Sequence, residues 1–482
     1  MAMLWILVLP ALAALASLLP LDRRFGAVAT IVASLAGTIL SAMLVARVVS
    51  EGPVTAIADW IACDALSAAI LLLVSFVGLA AALYSCGYMD RVAPTARSGR
   101  IRRYYAGFNL FLLSILAIPL LTEVAMVWIA VALTTLLSAF LVSFHGTPEA
   151  LEAAWKYVVL TSLGAIIALF GVFVLYWAAS SAGIEEFSWP ALTRGAPELA
   201  PPLVATAFLF ILIGFGTKVG LVPMHVWLPD AYSQAPLPVC ILLSGAEAAA
   251  SLYVLLKLLP LCAAASVDVQ GWAIGFGLLT TGFAVLLLLR ARHIKRLLAF
   301  STIEHMGIIL VAAGLGSSDA NLGALYQLGS HALAKSFCFM AAGLAILATG
   351  AREIDDIRGL VRSSPVAGVS LLAGGLAISG APPFAVFLGE MSIVKAGLEA
   401  DHYVAIGLLV LFIAVGFCAV MMRINRMVFG DPTTTEKSPR LPASPVAALA
   451  LVAVPLVVAG IYLPDLALQV VHAATTTLGG PQ

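Results

Sequence analysis

Charge is what this chain has least of. Only 10% of its 482 residues are Asp, Glu, Lys or Arg, against 62% hydrophobic, and the mean hydropathy is +1.08. A soluble domain carries about 25% charged residues, so a water-soluble fold is excluded and a polytopic membrane protein is left. Net charge is absent as well. Lys plus Arg and Asp plus Glu stand at 25 each, which leaves no basic excess for nucleic acid and predicts no nucleic-acid partner. Cysteines are few and single: Cys63, Cys86, Cys240, Cys262, Cys338 and Cys418 form no CxxC pair. Iron–sulfur, structural-zinc and disulfide frameworks therefore have no ligands here, and the thiols read as small apolar side chains. Catalytic signatures are missing too: there is no GxGxxG, Walker loop, HExxH or GxSxG in a strand–turn–helix setting, and no histidine pair at haem-ligand spacing. The chain is expected to bind no cofactor or metal, and any redox chemistry is expected on partner subunits. No hydrophilic domain is present; the polar stretches near 89–104, 145–156, 183–200, 349–364 and 430–442 are expected as connecting loops. The N-terminal apolar run lacks a basic start and a small-residue cleavage site and reads as a first span.

What is there is a series of apolar runs of about 20 residues, the length that crosses a bilayer. They fall near 3–21, 26–48, 65–88, 105–121, 124–144, 156–180, 203–222, 237–262, 271–290, 298–316, 322–348, 364–385, 403–427 and 443–463, with a further partial helix near 465–478. The expected fold is an all-α bundle of about fourteen transmembrane helices. Basic residues test the count, because they concentrate in cytoplasmic loops. Alternate loops hold nineteen of the 25, from Arg23 and Arg24 to Lys437 and Arg440, whereas the opposite loops hold only Arg47, Arg194 and Lys395. An error of one span would scramble this separation. Both termini are predicted on the outer face of a bacterial-type inner membrane.

Three lysines, Lys218, Lys257 and Lys335, fall inside spans. An ammonium at membrane depth costs roughly 2.5–3.5 kcal/mol on insertion scales unless it faces protein or water. Pro223 and Pro229 follow Lys218 and cannot donate the amide hydrogens of a continuing helix, so the seventh span is expected to break there. Pro382 and Pro383, followed by Glu390, repeat the pattern five spans later. An odd offset inverts the second copy, the arrangement of many transporters. Glu247 lies mid-span among small residues and is a partner for Lys218 or Lys257. Lys257, near a span end, reads equally well as a snorkelling side chain. His331 and Lys335 are four apart and share a helix face. Glu304 and His305 read as a charged pair or as an interfacial cap just after RARHIKR. His225 and Asp230 line a cytoplasmic water path or stabilise the broken segment; the residues alone leave both open. A buried, unpartnered ammonium releases its proton readily, since desolvation disfavours the charged form. These groups read as a proton path.

Four segments carry a resemblance. GTKVGLVPMHVWLPDAYSQAPLPVCILLSGA (216–246), RHIKRLLAFSTIEHMGIILVAAG (292–314), HALAKSFCFMAAG (331–343) and AISGAPPFAVFLGE (377–390) resemble the antiporter-like proton-translocating subunits of complex I and its relatives. The likeness runs from about 105 to 400, and STIEHMG with FLGE resembles the F-type branch of the hydrogenase-4 and formate hydrogenlyase membrane subunits. It implies helices before residue 105, antiporter-like repeats over 105–265 and 266–430, and a C-terminal helix and tail over 431–482. It also implies Lys218 as the central relay, His305, His331 and Lys335 along the second half, and Glu390 near the exit. Its implied partners are the membrane and peripheral subunits of a hydrogenase or complex I-like assembly. A non-redox cation/proton antiporter or inorganic-carbon uptake system is the alternative. One departure stands out. The family's fifth-helix glutamate, partner of the relay lysine, is Ala132 here, and Glu123 lies nine residues earlier, about 13 Å along a helix. Glu247 is the expected replacement.

Overall fold

The computed structural model describes residues 1–22, 24–57, 59–95, 98–431 and 439–479. Arg23, Arg97 and Lys437, which entered the charge separation, lie outside the described residues. The chain opens with α1 (Ala2–Leu18), α2 (Phe25–Glu51), a hairpin of β1 (Val54–Ala56) and β2 (Ile61–Cys63), α3 (Ala65–Val92) and α4 (Ser98–Ala117). There follow α5 (Val124–Val142), α6 (Pro148–Ser181), the short α7 (Trp189–Gly195), α8 (Pro201–Val219) and α9 (Trp227–Gln234). The next span is α10 (Leu237–Ile241), a π-helical turn at Leu242–Glu247, and α11 (Ala248–Ala264). The second half holds α12 (Gln270–Leu288), α13 (Ile294–Gly314), α14 (Ser318–Thr349), the single turn α15 (Leu360–Ser363), α16 (Pro365–Ile378), α17 (Ala385–Glu399) and α18 (Tyr403–Phe429). It closes with α19 (Ala443–Ile461) and α20 (Asp465–Thr477). Among the described residues, eleven helical segments are long and apolar enough to cross a membrane. The three other expected spans are α1, α16 and α4, the first two shorter and the last carrying Arg100, Arg102 and Arg103 near its start.

Four stretches expected as loop are partly helical: 183–200 and 349–364 hold the short α7 and α15, and 89–104 and 145–156 hold helix starts. α4 starts at Ser98 and α6 at Pro148, so both project past their apolar runs. In α6 the cause is local: Thr147 Oγ1 accepts the Ala150 amide, and Pro148, whose missing N–H is no loss in a first turn, follows the cap. The expected span at 364–385 is the half-helix α16 and the break after it, and Glu390 lies in a second half-helix, α17, that follows. Both breaks fall at the prolines. After α8, Gly220 (φ 92°) takes the left-handed conformation and the Val222–Pro223 peptide is cis; after α16, Gly380 (φ 70°) and a cis Pro382–Pro383 peptide repeat the form.

The inverted relation has a backbone signature. At the start of α5, Glu123 pairs antiparallel with Ser188 beyond α6; five spans later, at the start of α13, His293 pairs with Glu353 beyond α14. The bonds match one for one. Val124 N donates to Phe187 O (3.2 Å) and Trp189 N to Thr122 O (3.0 Å), as Ile294 N does to Arg352 O (3.2 Å) and Ile354 N to Arg292 O (2.8 Å). An odd number of spans puts the two pairs at opposite ends of the bundle.

The span α10–α11 and helix α13 are almost wholly buried, whereas α2, α6 and α19 turn large apolar residues outward, such as Phe170 and Trp177. Lipid competes with protein for such surfaces, so small residues at the contacts hold the helices together. One such contact joins α6 to α8. A Cβ on Gly214 would stand 2.6 Å from both Ala168 Cβ and Gly164 O, too close for any side chain. Gly214→Val is expected to push α8 from α6 and lower stability by about 1–3 kcal/mol or more. Gly275→Ala in α12, with nothing within 4 Å of the added carbon, should be neutral or gain up to about 1 kcal/mol. Thermal melts of the two detergent-solubilised variants check this contrast.

Candidate functional site

Lys218 ends up beside Glu247. Its ammonium lies in the last turn of α8, its Nζ 2.7 Å from Glu247 Oε1, with side chains 4% and 1% exposed. The ammonium donates to Thr135 Oγ1 on α5 (2.8 Å) and to Tyr157 OH on α6 (2.5 Å). Tyr157 OH also bonds Ser138 Oγ (2.7 Å). The glutamate closes the π-helical turn, a distortion common at functional sites, and neither of its oxygens has an aligned hydrogen-bond donor. The contact is therefore ionic, and the carboxylate depends on the one lysine. Ala132 is half-buried; where α5 meets the lysine it offers Thr135 instead. Glu247 takes the place of the fifth-helix carboxylate from the other side of Lys218. Glu123 caps the start of α5 and takes part in the backbone pairing with Ser188; burial, then the Glu186 charge, push its carboxyl above the usual range.

The same π turn reaches the second half. Ser244 Oγ bonds Thr302 Oγ1 on α13 (2.8 Å), Thr302 donates to Leu298 O (3.1 Å), and Lys335 Nζ on α14 donates to that same carbonyl (2.8 Å). Gly245 makes room for the approach, since a Cβ there would lie 2.9 Å from Ser336 Oγ. From Lys335 the polar groups continue along α14 at intervals of four, to His331 and Gln327. His331 packs against His305 with ring centroids 5.1 Å apart and the planes tilted by 41°, and neither of its ring nitrogens has a partner. His305 is fully engaged: Gln327 Nε2 lies 3.0 Å from Nδ1, and Nε2 lies 2.8 Å from Ile378 O. An amide donor on one nitrogen and a carbonyl acceptor on the other require the neutral Nε2–H tautomer. Ile378 is the last residue of α16, so the helix break frees the carbonyl that receives this bond. The first break does likewise: Thr217 O, at the end of α8, accepts Trp227 Nε1–H (2.8 Å). Glu390, 9% exposed, lies beyond the second break.

With this geometry in place, comparison with known proteins is informative. The profile of the NADH:quinone oxidoreductase/Mrp antiporter membrane family matches residues 121–416, more than half of the chain. The chain belongs to this family. The complex I chain 5 N-terminal profile matches residues 60–105. A hydrogenase-4 component F homolog of Methylacidiphilum infernorum (isolate V4) is 35% identical over 377 residues, covering 77% of this chain and 79% of that protein. An NADH-quinone oxidoreductase subunit N of Desulforudis audaxviator (strain MP104C) is 28% identical over 432 residues, covering 85% and 83%. A chain of the membrane-bound sulfane sulfur reductase, an archaeal respiratory membrane complex, shares the fold with a TM-score of 0.87 at 24% identity, covering 99% of this chain and 97% of that one. The family fold thus carries the thread traced above.

Not every expected residue joins that thread. Lys257 forms a close ion pair with Asp64, which caps α3, and lies ten residues beyond Glu247, about 15 Å along a helix. Burial acts to raise the Asp64 carboxyl, but the Lys257 ammonium and the Ser67 amide outweigh it and hold it below the usual range. Asp230 pairs with Arg296 and lies 3.6 Å from Lys156, tying α9 to α13 and α6, while His225 is buried against Phe283. Neither lines the polar cavity of about 190 Å³ at the basic end, which is walled by Ser233, Gln234, His293, Lys295, Arg296 and Arg352. Glu304 is no interfacial cap: it is 5% exposed deep in α13. The sequence reading missed Thr135, Tyr157, Ser244, Thr302 and Gln327. Only Gln327 carried a usable signal, its spacing of four from His331.

Glu247→Ala leaves the Lys218 ammonium buried with hydroxyls alone and is expected to cost about 3–5 kcal/mol. Adding Lys218→Met should recover most of that loss. A double-mutant cycle of thermal stability in detergent reads the coupling, and additive losses would contradict the pairing.

Proposed function

We propose that this chain is the proton-translocating membrane subunit of a multisubunit redox complex of the hydrogenase-4 or NADH:quinone oxidoreductase kind. It would lie in the cell inner membrane with its basic loops in the cytoplasm and both termini outside, and act through antiporter-like repeats at 105–265 and 266–430. The observation that carries the reading is the buried thread from Tyr157 and Lys218 through Glu247 and the π turn to Lys335, His331 and Glu390. Family membership and the hydrogenase-4 and complex I relatives support it.

The thread's chemistry is proton holding and handover. The Lys218 ammonium stays charged while Glu247 faces it, because in a poorly polarisable interior an ion pair is stabilised far more than its separated members. A change that withdraws the carboxylate leaves the ammonium without its counter-charge and favours loss of its proton. Glu247 and Ser244 share one π turn, so such a change also bears on the Thr302–Leu298–Lys335 contacts. Redox chemistry would belong to partner subunits, which this chain would serve without binding a cofactor.

The test uses the intact complex, purified through a tag on this chain and placed in vesicles. Proton uptake driven by the complex's own reductant is expected to fall to about a tenth or less in Lys218→Met, a loss of at least about 1.4 kcal/mol in rate terms. Lys257→Met, whose side chain is tied to Asp64, should retain most of it. Recovery of only antiporter subunits or a soluble zinc protein with the tagged chain, or pumping unaffected by Lys218→Met, would overturn the reading.

A further inference from the structure

Glu304 is a buried charge that the thread above does not use. It shares α13 with His305 but sits one residue round the helix, towards α18. Gly416 on α18 is what admits it, since a Cβ there would overlap Glu304 Oε1. Glu390 is accommodated in the same way: a Cβ on Gly380, in the helix break, would overlap Glu390 Oε2. The two carboxyl groups, on different helices and each seated against a glycine, line one cavity of about 10 Å³ together with His305, Ser379 and Phe417. That is room for about one water molecule.

The other polar groups of the cavity identify its occupant. His305 has both ring nitrogens engaged elsewhere. Ser379, 9% exposed, has a hydroxyl with no hydrogen-bond partner, and a buried polar atom of that kind calls for an unseen partner. Two carboxyl groups and one free hydroxyl around a water-sized space supply the two to four contacts that hold a buried water. Two carboxylates so placed in a dry interior do not both stay ionised; one proton is held between them.

We propose that Glu304 and Glu390 form a single proton-holding site, sharing one proton through a water seated by Ser379, so that the thread ends in a carboxyl pair. This rests on the proton-translocating reading and extends it. In the transfer, the protonated Glu304 gives its proton to the water while the water gives one of its own to the Glu390 carboxylate. One O–H bond breaks and one forms at each step, and the pair's net charge is unchanged.

Infrared difference spectra of the purified complex, recorded in H2O and D2O between two pH values, test the pair separately from pumping. Wild-type complex is expected to show a protonated-carboxyl C=O band with a deuterium shift. Glu304→Gln or Glu390→Gln alone should remove it, the double variant should remove nothing more, and Ser379→Ala, which keeps both carboxyls, should shift its frequency. Each single Gln variant should also lower reductant-driven proton uptake about tenfold or more. A band that survives Glu304→Gln, two bands lost independently, or full pumping in Glu304→Gln would overturn the proposal. If pumping is insensitive to Lys218→Met while the shared band is present, the broader reading fails and the carboxyl pair stands.

Discussion

A lysine ammonium held away from water needs a counter-charge, and the arrangement of the centre follows from meeting that need. Insertion alone costs Lys218 a few kcal/mol, and Glu247 at 2.7 Å is the group that offsets it. Both sit on distorted backbone, one in the last turn before a helix break and the other at the end of a π turn. Regular helices in their place would put ladder-bonded backbone where the pair now has room to face across the bundle.

The irregularities also donate hydrogen-bonding groups. An unbroken helix hides its carbonyls; a broken one leaves the last few open. The chain uses this twice, at Thr217 for the Trp227 indole and at Ile378 for the His305 imidazole. In each case the freed carbonyl fixes a ring beside the polar thread. Irregular backbone at membrane depth persists where it is covered by protein: the π turn at Leu242–Glu247 is wholly buried, whereas Pro223, Pro382 and Pro383 at the two breaks are exposed.

The matched backbone pairs at Glu123–Ser188 and His293–Glu353 give the two halves a common frame at opposite ends of the bundle. Within that frame the charges differ. The first half holds a lysine–glutamate pair, and the second holds a lysine resting on the Leu298 carbonyl followed by histidine, glutamine and glutamates. The polar chemistry differs between the halves, and the π turn is where one passes into the other.

Composition and hydropathy by themselves determined the membrane class, because the cost of placing backbone and charge in lipid leaves little choice of structure. Proline positions fixed both helix breaks, since a proline removes the same amide in any context, and the spacing of His331 and Lys335 placed them on one face. Which cation meets which anion was decided only by tertiary structure. Glu247 suits Lys218 or Lys257 equally as far as local sequence can say, yet helix packing gave it to the first and paired the second with Asp64. Thr135, Tyr157 and Thr302 are ordinary span residues until neighbouring helices bring a lysine or a serine against them. Glu304 could be read as an interfacial cap because nothing local shows what its side chain faces; its burial depends on Gly416, more than a hundred residues away. Local chemistry sets where a helix stops, and only packing between distant segments sets what its charged side chains touch.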